Sequence, residues 1–123
     1  MTAPNLVGIT TVTGRIVGAN LTTTAATSII SNAPSSNQCV KINTVNACNY
    51  SNTAANVTIS FYTGAALGGT AFPIVSNLSV PPNSTLTVID KLNILFLEED
   101  DSLGATATTA NTIVITASYE EIG

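Results

Sequence analysis

Apolar residues recur at every second position along much of this chain, and no stretch carries the three-and-four spacing of an amphipathic helix. NVTISFYTG is the plainest case, with Val57, Ile59 and Phe61 on one face and Thr58, Ser60 and Tyr62 on the other. TIVITASYE repeats the pattern through Ile113, Ile115, Ala117 and Tyr119, and SLGATAT through Leu103, Ala105 and Ala107. The same spacing predicts strands in ATSIIS, FPIVSNLSV, STLTVI and LNILFL, set apart by the turn-forming clusters SNAPSSN, YSNTAAN, GAALGG and PPNS. CVKINTVNACN changes phase: Val40 and Ile42 share a face, whereas Val45 and Ala47 lie in the opposite register. One extra residue near Asn43 or Thr44, a β-bulge, would bring Ile42, Val45 and Ala47 into one core.

About eight short strands rich in Thr, Val and Ile predict an all-β fold, an antiparallel β-sandwich of jelly-roll type, over residues 23–123. Residues 1–22 are less clearly patterned and read as an N-terminal arm or an extra strand. They carry Leu6, Val7, Ile9, Val12, Ile16 and Val17 in a mostly polar stretch, more apolar surface than a free tail exposes. These six residues, with Arg15 at their rim, are the candidate assembly contacts.

Composition narrows the function. Of 123 residues 45% are hydrophobic but only 8% charged, against about 25% charged in an average soluble domain. Thr, Asn, Ser and Ala fill the difference, giving a surface that can be buried against a partner without stripping ions of water. Arg15, Lys41 and Lys91 are the only strong cations and the net charge is −4. Neither nucleic acid nor an anionic membrane is therefore an expected partner. The opening MTAPNLVGITTVTG lacks the pattern of a secretory signal.

The chemistry of catalysis is thinly supplied, and no enzyme activity, cofactor or metal site is expected. With no histidine, His-based triads and His-containing metal sites drop out. Cys39 and Cys48 lie nine positions apart on one predicted strand, roughly 30 Å at strand rise, too far for a bridge within the chain. They read as free thiols of a protein made in a reducing cytoplasm. GAALGGT, Gly64 to Thr70, imitates a phosphate-binding loop, but it lacks the lysine and is followed by Pro73. A flexible hairpin loop is the expectation. Glu98, Glu99, Asp100 and Asp101 stand side by side; consecutive residues in an extended turn point to alternating sides, so a solvated hairpin corner is expected rather than a cation site.

Three stretches carry a resemblance. VNACNYSNTAANVTISFY, LSVPPNSTLTVID and LFLEEDDSLGATATTANTIVITASYEEI are similar, in order and spacing, to a family of small bacteriophage virion proteins. The opening APNLVGITTVTGRIVGANLTTTAATSIISN resembles members from phages of cyanobacteria. Asp100 stands where that family usually has glycine, which predicts a positive φ there, and Asn83 suits the turn at PPNS. The resemblance implies a virion protein on the outer capsid surface. It would be a decoration (cement) protein that stabilises the shell, with the major capsid protein and its own copies as partners in a symmetric oligomer such as a trimer. A neck or tail-fibre module is the first alternative. A glycan-binding host-attachment module is the second, with Tyr50, Tyr62 and Tyr119 as its only aromatic candidates in a chain without Trp.

Overall fold

The computed structural model describes Gly8, residues 10–90 and residues 92–123. Nine strands form two antiparallel sheets: β1 (Val12–Asn20), β2 (Thr27–Ser31), β3 (Cys39–Asn49), β4 (Ala55–Gly64), β5 (Gly68–Val80), β6 (Ser84–Ile89), β7 (Leu95–Leu97), β8 (Ser102–Ala107) and β9 (Ile113–Ile122). Sheet A runs β1-β9-β3-β6, with β7 also on β3, and sheet B runs β2-β8-β4-β5. The pairings β4·β5, β3·β6/β7, β2·β8 and β1·β9 nest inside one another along the chain. That is a long hairpin folded over on itself, the jelly-roll wrap. All eight strands expected from the sequence are present, and TGRIVGANL supplies the ninth.

The core lies between the sheets, built from Leu21, Ile42, Val45, Ala47, Val57, Ile59, Val80, Leu97, Leu103, Ile113 and Ile115, all fully buried. Each large aliphatic side chain there contributes about 1.5–3 kcal/mol by leaving water. The β3 bulge falls where the phase change put it: the register against β9 shifts between Ile42 and Thr44. Ile42, Val45 and Ala47 thereby share the core. Asn83 and Asp100 take positive φ, at 53° and 64°.

One expected strand is shorter than its pattern. In LNILFL only Leu95–Leu97 joins the sheet. Asp90 turns the chain first, its Oδ1 accepting the Leu92 amide at 2.9 Å while its carbonyl accepts the Asn93 amide at 3.0 Å. Aspartate favours such a local turn over the ladder.

Two buried asparagines fasten loops at opposite ends of the sandwich. Asn49 donates to the carbonyls of Thr53 and Val80 at 2.8 and 3.0 Å, and its Oδ1 accepts from the Ser51 amide and hydroxyl. Asn32 donates to the carbonyls of Gln38 and Leu97 at 2.9 and 3.2 Å and accepts from the Ser36 hydroxyl. Each replaces water at a backbone that leaves its sheet, as buried polar groups require.

Candidate assembly surface

The first twenty residues divide sharply. Val12–Asn20 is strand β1, paired to β9 in unbroken register from Val12↔Ile122 to Asn20↔Val114. Its odd positions turn inward, so Val17 and Ala19 pack against the core. Its even positions turn outward. Val12 is 51% and Ile16 79% exposed, with Gly14 and Gly18 also exposed beside them. Arg15 stands at the rim and donates from Nε to Glu121 Oε1 at 2.7 Å, a contact that raises the guanidinium pKa further. Of the candidate contacts, the structure thus brings Val12 and Ile16 together on one outer face, gives Val17 to the interior, and sets Arg15 on the side away from that face, paired with Glu121. Leu6, Val7 and Ile9 lie outside the described residues.

The acidic stretch differs from the solvated hairpin corner expected. β7 belongs to sheet A and β8 to sheet B, so residues 98–101 carry the chain across the sandwich. Only Glu98 is exposed; Glu99 and Asp101 retain 8% and 5% of their surface. Crossing between sheets presses the turn onto the sandwich end, a placement invisible to a reading based on charge alone. Asp101 Oδ2 accepts the Glu98 amide at 3.2 Å, while its Oδ1 is buried without a partner. Burial raises the Asp101 pKa, and the charges of Glu98 and Asp100 push the same way.

The glycine loop is the β4–β5 hairpin loop expected, and its backbone amides are held by side chains. Ala66 and Leu67 take left-handed φ, at 53° and 65°. The three successive amides of Ala65, Ala66 and Leu67 are taken, each at 3.0 Å, by Asp100 Oδ1, Ser31 Oγ and Ser102 Oγ. Ser102 Oγ also donates to the Gly64 carbonyl at 2.7 Å. Such a run of amides suits an anion, and here the Asp100 carboxylate takes one of the three and serine hydroxyls the other two. No single residue type announces this clamp, which joins residues 35 positions apart through backbone amides.

Other candidates are held by the fold. Among the described residues no group of three or more His, Cys, Asp or Glu side chains converges as a metal site, and no cavity opens on the surface. Cys39 and Cys48 sit on one strand, both unbridged. Burial, followed by the charge of Glu98, raises the Cys39 pKa. The three tyrosines lie in different surroundings: Tyr50 is exposed and donates to Asn20 at 3.0 Å, Tyr119 packs on the core, and Tyr62 lies near Gly104 in sheet B.

No protein-family profile matches the chain, and no curated protein matches it. A solved structure does: a chain of the Bacillus endospore appendages, described as a novel family of disulfide-linked pili. The likeness spans 99% of this chain and 95% of that one, at 16% identity and a TM-score of 0.54. At that identity what the two chains share is the fold, a two-sheet sandwich traced from end to end.

Proposed function

We propose that this chain is a structural subunit that acts by assembly rather than by chemistry. The observation that carries the reading is the edge strand β1, which exposes Val12 and Ile16 on a nearly uncharged domain that also exposes Phe72, Ile74, Leu92, Ile94 and Phe96 elsewhere. Such a surface loses little when it is buried against a partner. The likeness to a pilus chain over almost its whole length supports the same class of role.

In its finer form the proposal follows the sequence resemblance: copies bind the outer face of a bacteriophage capsid, with the major capsid protein and one another as partners. A protein that binds the assembled shell, and not its free subunits, stabilises the shell by mass action. The reading is non-enzymatic and calls for no cofactor, nucleic acid or membrane. The pilus likeness favours a second reading, in which copies join into a fibre or a tail module.

Purified protein separates them. A decoration protein forms discrete oligomers and co-sediments with capsids, at a fixed copy number relative to the major capsid protein. A fibre subunit grows filaments visible by negative-stain electron microscopy without any shell. A protein that stays single-chain and binds no capsid is neither.

A further inference from the structure

The sandwich has four edges, and three are blunted. β5 carries Pro73 and several register shifts against β4, with Asn77 at φ 51°. β2 has five residues and a register shift of its own. The third edge is broken into β6 and β7, with Asp90 accepting the amides of Leu92 and Asn93 between them. Proline, bulges and shortness are the usual protections of an edge strand. β1 has none of them. It runs nine residues in unbroken register, and no described residue pairs with its outer side.

The register fixes which groups that side offers. Thr11 and Gly123 exchange both backbone hydrogen bonds, at 3.0 and 2.9 Å, and the Leu21 amide donates to Ile113 at the other end. Both pairs belong to the same unbroken register, and hydrogen-bonded pairs alternate along an antiparallel ladder. The odd residues of β1 therefore spend their amides and carbonyls on β9. The even residues, Val12, Gly14, Ile16, Gly18 and Asn20, point theirs outward from the edge. These are also the residues whose side chains lie on the exposed face. Unpaired backbone, two aliphatic side chains and two glycines coincide on one strip. That strip carries no uncompensated charge, because the one cation of β1, Arg15, is paired with Glu121.

We propose that this edge binds the same edge of a second copy, antiparallel about a two-fold axis through Ile16, so that sheet A continues across a dimer. Ile16 is the centre of Val12–Asn20, so this register sets Ile16 opposite Ile16 of the second copy. Gly14 then faces Gly18 of the second copy, and Val12 faces Asn20. Every pair is even with even, so each open amide meets an open carbonyl. The two isoleucines meet on the outer face at cross-strand contact distance, flanked by glycines that leave them room. A neutral strip meets its own copy without repulsion, and the contact is self-complementary, as an isologous interface must be. The partner chemistry is thus an extended strand of like sequence. The proposal rests on the assembly reading and names its first contact.

The test uses the intact chain and two variants. Ile16→Lys sets two charges against each other on the axis. Gly14→Pro removes an outward amide while sparing the β1–β9 ladder, and a Cβ at Gly14 meets nothing within 4 Å. Sedimentation equilibrium is expected to give two chains for the wild type and one for Ile16→Lys. Gly14→Pro is expected to weaken association by roughly tenfold or more, since the two-fold repeats each lost hydrogen bond. Hydrogen exchange on the wild type reads the register directly: the amides of Gly14, Ile16 and Gly18 are protected in the dimer and lose protection on dilution. Fast exchange at these amides in an associated protein overturns the proposal, even if neither variant folds. An oligomer unaffected by both variants overturns it and leaves the assembly reading standing. A wild type that remains a single chain and binds no capsid overturns both.

Discussion

Asp101 is a buried carboxylate with one oxygen satisfied and the other not. Burial holds its folded pKa above the ordinary 3.8. A carboxyl with a raised folded pKa binds its proton more tightly when folded than when unfolded. Its contribution to stability is therefore fully present below about the unfolded value and is lost as pH rises through the folded one. Asp101→Asn keeps an acceptor for the Glu98 amide and removes the titration. The variant is expected to be more stable than the wild type at pH 7, by urea midpoint, with the gap closing as pH falls through the folded pKa of Asp101. A gap that stays constant with pH would mean that the carboxylate is solvated. Gly104 makes a steric demand of another kind. A Cβ there would lie 2.5 Å from Leu67 Cδ2, 3.0 Å from Tyr62 Cε1 and 3.3 Å from the Thr27 carbonyl. Gly104→Ala is expected to cost about 1–3 kcal/mol by overpacking, measured by thermal melting.

At the scale of elements, the crossing turn and the glycine loop act as one unit joined through Ser102 and Asp100. Ser102 is fully buried and serves as donor and acceptor at once. Ser102→Ala strands the Leu67 amide and the Gly64 carbonyl, and is expected to cost about 1–3 kcal/mol with faster hydrogen exchange at Leu67. The bulge in β3 invites a harsher substitution. Val45→Asp places an unpaired charge where no surface remains and is expected to abolish folding, read as loss of the β signal in circular dichroism. These elements differ in how far the sequence disclosed them. The bulge was legible because the phase of Val40, Ile42, Val45 and Ala47 can be counted along one strand. So were the positive φ angles at Asn83 and Asp100, where a residue type tolerates what the turn demands. The clamp was not legible, since it joins residues more than thirty positions apart through backbone amides that carry no side-chain signature. The burial of Glu99 and Asp101 was missed for a related reason: periodicity does not say which sheet the next strand enters. β1 fell between these cases. Glycines at Gly14 and Gly18 dilute the alternation on its outer face, and only its ladder with β9 makes it a strand.

At the scale of the whole molecule, the nested pairings fix an order in which the chain can close. The β4·β5 hairpin is local, whereas β1 meets β9 across nearly the full length, as Arg15 meets Glu121 at a separation of 106 residues. Closing so long a loop costs more chain entropy than closing a short one, and topologies dominated by distant contacts fold slowly. The inner β4·β5 hairpin is therefore expected to form in the transition state, with β1 docking after the barrier. Val57→Ala in β4 is expected to slow folding, while Val17→Ala in β1 leaves the folding rate nearly unchanged and speeds unfolding, as the two arms of a denaturant chevron would read. Late docking has a biological corollary. Until β1 arrives, β9 is paired with β3 on one side only, and its other edge is able to accept β1 from any nearby copy, so crowded synthesis favours strand exchange between chains. The last strand to close sets how many copies leave the folding reaction joined.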